Sequence, residues 1–200
     1  MKINLLMIFF SIALINANAQ TGRGSFLVGG SMNLQRVNYN YTSATVISNT
    51  PAASFSVSPT VGYFVINSLM IGLQGSYGHG WTLNNPNYKS NNGSIGPVIR
   101  YYFPFGKFAL FPELATSFDR STIKSPTFDP LTGGIIVGTT KTKDQLYKAG
   151  IGTVWFATPN IGIEGVFGYK KLQYKEPSYL KSATNLYFTV GIQFYLPKTN

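Results

Sequence analysis

From Ser94 to Asp119 the chain alternates apolar residues with small or polar ones, in two arms joined by Pro104-Phe105-Gly106-Lys107. This period-2 pattern predicts two strands with unlike faces, joined by a tight hairpin. One face carries Ile95, Pro97, Ile99, Tyr101 and Phe103, then Phe108, Leu110, Pro112, Leu114, Thr116 and Phe118. The other carries Arg100 and Glu113 among small residues. If Phe103 pairs with Phe108, Arg100 lies opposite Phe111 and Glu113 opposite Val98, so the two charges are diagonal neighbours. The apolar face carries no charge at all.

Six further segments alternate in the same way. They are about Ser25 to Arg36, Ser54 to Val65, Leu69 to Gly78, Lys143 to Phe156, a segment opening at Ile161 and running through Tyr169, and Ala183 to Leu196. Pairing Val65 with Leu69 across Ile66-Asn67-Ser68 keeps the apolar faces together, as register requires. Connections alternate in length: the turns near 66–68, 104–107 and 158–160 are short. Those near 37–53, 79–93, 120–142 and 171–182 are long and rich in Asn, Ser, Thr and Lys. A soluble meander has no reason to sort its loops this way, whereas a membrane barrel does. Aromatic residues gather near strand ends. Tyr63, Phe64, Tyr101, Phe103, Trp155, Phe194 and Tyr195 lie toward the short turns, and Tyr77, Trp81, Tyr88, Tyr147 and Tyr169 toward the long loops. Two interfacial girdles are the expectation.

Composition decides which face meets water. Charged residues make up 11% of the chain, against roughly 25% in soluble domains. That is too few to coat an outer surface, so the apolar face is read as facing lipid. A soluble lipocalin-like barrel would need the reverse. The absence of cysteine removes disulfides, thiol catalysis and Cys-ligated metals. Residues 1–19 read as a signal peptide: Lys2, an apolar run from Leu5 to Ile15, and the small-x-small site Ala17-Asn18-Ala19. Residues 20–200 then form one domain, with a net charge of +9 once Lys2 is removed from the +10 of the whole chain.

The segments VGYFVINSLMIGLQGSYG, SIGPVIRYYFPFGKFALFPELATSF and ATPNIGIEGVFGYK resemble the small outer-membrane β-barrels of the OmpA/OmpX-like, porin-family type. The resemblance covers about residues 25–196. It implies an all-β, eight-stranded antiparallel up-and-down transmembrane barrel in the outer membrane of a Gram-negative cell. It carries no catalytic motif.

Candidate chemistry follows from that frame. An eight-stranded barrel has an interior that side chains fill. Arg100, Glu113, Glu164, Lys148, Gln74 and Gln193 are therefore expected as a structural polar network in the lumen, with Arg–Glu pairing to offset burial. A narrow channel for small solutes or ions is the alternative. His79, the single histidine, lies near Ser76 and Ser90 in sequence, which raises a lipid A-modifying enzyme as a further alternative. The primary expectation is non-enzymatic, without cofactor or metal. Lys170, Lys171, Lys175 and Lys181, with Lys89, Arg120, Lys124, Lys141 and Lys143, are candidates for contacting lipopolysaccharide phosphates. Loop 120–142 is expected to protrude as strands five and six, and an exposed strand there is a candidate docking edge for a surface protein partner. No nucleic-acid partner is expected, and the barrel is expected to be a monomer.

Overall fold

The computed structural model describes residues 21–42, 47–82, 85–128, 133–174 and 182–198. The proposed signal peptide lies outside them. The described chain forms β1 (Phe26–Thr42), β2 (Ile47–Ile66), β3 (Leu69–Thr82), β4 (Asn85–Tyr101), β5 (Phe103–Phe105), β6 (Phe108–Phe128), β7 (Ile135–Thr158), β8 (Ile161–Tyr174) and β9 (Ser182–Leu196). Consecutive strands pair antiparallel except β4 and β5, β1 pairs with β9, and β4 pairs with β6. The short β5 continues β4 past Tyr102 along the same partner, β6. The result is a closed ring of eight strands, an up-and-down transmembrane β-barrel.

Alternation sorts the residues to the two sides of the wall. Outward positions such as Leu73, Ile95, Leu114, Phe118, Ile151, Phe167 and Ile192 are exposed. Inward neighbours such as Met70, Val98, Ala109, Phe111 and Val154 are buried. On β7 the belt runs from Trp155 to Tyr147, a height of about 21 Å at the usual rise and tilt, close to the apolar band of such barrels. An apolar surface that encircles the molecule cannot face water at this scale. The soluble-barrel alternative fails on this observation, because its outer face would have to be polar.

Three details differ from the sequence expectation. The β5–β6 turn holds only Gly106 and Lys107, with Phe105 opposite Phe108. Gly106 has φ +61°, a left-handed conformation that glycine adopts at little cost. The register moves by two residues, so Arg100 is directly opposite Glu113 and Val98 opposite Ala115. The β2–β3 turn pairs Ile66, not Val65, with Leu69, and a bulge between Phe64 and Ile66 restores the alternation. Finally, much of what reads as long polar loop is strand: β6 and β7 stay paired from Phe108↔Trp155 to Phe128↔Ile135. The protrusion expected of loop 120–142 is present, and β1/β2 and β3/β4 also extend far beyond the belt. Cross-strand hydrogen bonds satisfy the backbone there, so apolar alternation is not needed to hold the strands.

The turn side of the interior is an aromatic plug. Phe64, Tyr102, Phe111, Phe156 and Tyr195 are buried together with Leu27, Met70 and Val154. Ring centroids lie 4.8 Å apart for Tyr102–Phe111, 5.1 Å for Phe156–Tyr195 and 5.6 Å for Phe64–Tyr102. Each such pair contributes about 0.5–1.5 kcal/mol beyond area burial. Phe64 and Tyr195, expected in the turn-side girdle, belong to this plug instead. Each lies on the inward parity of its strand. The girdle on that side is Tyr63, Tyr101, Phe103, Trp155 and Phe194, with Phe26, Phe105 and Phe108.

Candidate functional site in the barrel lumen

A charged layer sits directly on the plug. β4, β6 and β8 each turn one ionisable side chain inward at this level: Arg100, Glu113 and Glu164, all 2–3% exposed. Arg100 bridges the two acids. Its Nη2 lies 2.7 Å from Glu113 Oε2, its Nε donates to the same oxygen at 2.8 Å, and its Nη1 reaches Glu164 Oε2 at 3.0 Å. The guanidinium also stacks over the Phe111 ring at 5.0 Å. Three tyrosine hydroxyls complete the acids: Tyr195 donates to Glu164 Oε1 at 2.9 Å, Tyr102 to the same atom at 3.4 Å, and Tyr187 to Glu113 Oε1 at 3.4 Å. Lys148 donates to Gln74 Oε1 at 2.6 Å, and Gln74 Nε2 donates to Thr60 Oγ1 at 3.3 Å. Lys148 also feels the charge of Glu113. Two cations thus face two carboxylates.

Gln193 lies buried on the same level. The sequence places six of these residues on inward faces. It does not single out Tyr102, Tyr187 and Tyr195, whose aromatic character conceals their role as donors. Their inward parity, shared with Arg100 for Tyr102 and with Gln193 for Tyr187 and Tyr195, is the signal that could have found them. Further toward the loops, Asp119 and Asp144 pair directly across β6 and β7, with Lys170 inward on β8 in electrostatic reach of Asp119.

Arg100 links β4 to β8, three strands away around the ring, with the aromatic plug on one side of it and a polar cavity of about 420 Å³ on the other. Among the described residues no group of three or more His, Asp or Glu side chains is placed to hold a metal.

His79 is on the outer side of the β3 wall, where its Nδ1 lies 2.6 Å from Asn91 Oδ1 and its ring stacks on Trp81 at 5.7 Å. Ser76 and Ser90 occupy the inward parity of β3 and β4. The wall therefore separates the histidine from both serines, and neither is placed to form a nucleophile–base pair with it. Of the loop-side cations, Lys89, Arg120, Lys124, Lys141, Lys143 and Lys171 are exposed on the outer face, whereas Lys170 points inward. Lys175 and Lys181 lie outside the described residues.

No known family model matches the chain, and no curated protein matches it in sequence. Several solved structures do resemble it. Neisserial surface protein A is 15% identical with a TM-score of 0.48, over 88% of this chain and 97% of that one. The N-terminal β-barrel domain of Pseudomonas aeruginosa OprF is 13% identical with a TM-score of 0.47, over 88% and 99%. Ail of Yersinia pestis, crystallised with the heparin analogue sucrose octasulfate, is 12% identical with a TM-score of 0.43, over 87% and 99%.

Proposed function

We propose that this chain is a non-catalytic outer-membrane protein that stands in the lipopolysaccharide leaflet and presents its long hairpins at the cell surface. The observation that carries the reading is the separation of charge by the barrel wall. All four acidic residues among the described ones, Glu113, Asp119, Asp144 and Glu164, are buried inside the barrel. Above the belt, among the described residues, the only charged side chains on the outer face of β4, β6, β7 and β8 are cations. Lys89 lies directly opposite Lys124, and Arg120 directly opposite Lys143. Like charges facing each other across a ladder repel. Anions arranged around the barrel relieve that repulsion, and lipopolysaccharide phosphates at the membrane surface supply them.

Lys171 sits opposite Tyr147 at the rim of the belt, where a long side chain reaches the headgroup level. β6 and β7, which carry much of this basic collar, rise about 25 Å above the membrane at the usual rise and tilt. This hairpin is the candidate contact surface for a protein partner.

The test is a thermal-shift titration of the refolded protein with lipopolysaccharide. Stabilisation should be lost with enzymatically dephosphorylated lipopolysaccharide, and should fall in an Arg120→Glu/Lys143→Glu variant. Equal stabilisation by both lipid forms would sink the collar reading. Deleting 126–137, which keeps Lys124 and every other collar cation, should remove partner binding without disturbing the lipid response.

A further inference from the structure

One seam of the barrel is unlike the others. β1 pairs with β2 up to Thr42↔Ile47, and β9 pairs with β8 up to Gln173↔Ser182. Yet β1 and β9 pair with each other only from Phe26↔Leu196 to Met32↔Val190. Beyond that rung, among the described residues, the two strands diverge. At the base of the divergence a side chain replaces the ladder: Asn33 Nδ2 donates to Phe188 O at 2.5 Å.

The seam opens where lipid begins. Leu34 and Leu186 are the last outward apolar residues on their strands and are 77% and 66% exposed. The lumen cavity of about 420 Å³ reaches this point, because its lining includes outward Leu34, Phe55, Leu186 and Phe188 as well as inward Ser56 and Tyr187. Sheet edges turned to hydrocarbon are prohibitive, but edges that border a water-filled cavity are tolerated. The gap therefore joins two solvents: an apolar lip on the outer leaflet and a polar chamber behind it.

We propose that the β1–β9 seam is a side entrance through which the polar head of a single-chain zwitterionic amphiphile, of lysophospholipid type, enters the lumen while its acyl chain stays in the outer leaflet. Polarity sets the division: the chamber of about 420 Å³ is lined by charged and hydroxyl side chains that suit a headgroup, whereas the lip of Leu34, Leu186 and Phe188 suits an acyl chain. Charge selects the head. At the floor of the chamber Arg100, Glu113 and Glu164 satisfy one another, which leaves Lys148 and Lys170 against Asp119 in its wall to offer a zwitterion partners of both signs. The proposal rests on membrane residence, so each variant is first checked for the shift in gel mobility between boiled and unboiled samples. A missing shift counts against the membrane reading, not the entrance.

The test uses refolded mature protein in nanodiscs and lysophosphatidylcholine labelled at the chain end. Binding should saturate at one per chain and weaken at least tenfold in Ser56→Trp, which fills the chamber. Leu73→Trp, on the lipid face of β3, should bind as the parent does. The chain has no cysteine, so a Leu34→Cys/Phe188→Cys pair, joined by a short thiol cross-linker, closes the lip selectively. Cross-linking should abolish binding, whereas the same variant left unlinked should bind. Unsaturable uptake, an unchanged Ser56→Trp, or binding that survives the cross-link would each overturn the entrance. Lysophosphatidic acid binding as tightly as the zwitterion would overturn the headgroup assignment.

Discussion

Removing Arg100 is the sharpest test of the lumen. In Arg100→Met the volume is nearly kept, but Glu113 and Glu164 lose the guanidinium that lies 2.7 and 3.0 Å from them. Both carboxylates are about 2% exposed, so bulk water cannot take the place of the lost cation. The tyrosine hydroxyls remain as donors, and Lys148 remains a more distant positive charge. Orphaning a buried ion pair typically costs about 3–5 kcal/mol, roughly a hundred- to several-thousand-fold in the folding equilibrium. A triple variant, Arg100→Met with Glu113→Gln and Glu164→Gln, removes the uncompensated charges. It should regain more than half of the loss, because neutral amides still accept the tyrosine hydroxyls. The assay is urea unfolding and refolding in lipid vesicles, read where both directions coincide. Arg120→Met, on the exposed outer face, is the control and should cost under about 1 kcal/mol. A cost for Arg100→Met as small as the control's, or a triple variant no more stable than the single one, would refute a desolvated, charge-balanced layer.

Other consequences are simpler. A Cβ at Gly152 would fall 2.3 Å from Phe111 Cζ, so Gly152→Ala should lose about 1–3 kcal/mol to overpacking in the same unfolding assay. Gly165→Ala, whose Cβ would meet Phe188 at an ordinary 3.8 Å, should be nearly neutral. At the β5–β6 turn, Gly106→Val must hold a branched residue at φ +61° and should cost about 1–2 kcal/mol, while Gly106→Asn should fold almost as the parent does. In planar bilayers the parent should show no steady unitary current, because plug and charged layer close the bore in series. A stable conductance from the parent would favour the channel alternative instead.

The sequence by itself determined the class and sidedness of the fold. A period of two shows directly which residues share a face, and scarce charge leaves only lipid as the environment for an uncharged face. Hence Ile95, Leu114, Phe167 and Ile192 were legible as belt, and Arg100, Glu113 and Glu164 as lumen. Periodicity does not encode the exact pairing of two strands, and that is where tertiary structure decided. A two-residue turn at Gly106-Lys107 set Arg100 against Glu113 rather than diagonal to it. Closure of the ring brought Glu164, 64 residues away from Arg100 in the chain, onto the same guanidinium. Parity could place Phe64 and Tyr195 inside, but only the packed interior showed that they form a plug. The divergence of β1 from β9 was invisible in one dimension. The apolar alternation runs on past Met32 and Val190 only to Leu34 and Leu186, and both strands continue further because each is held by its other neighbour. A local pattern reports which way a residue faces; whether a neighbouring strand is there to meet it depends on how the whole sheet closes.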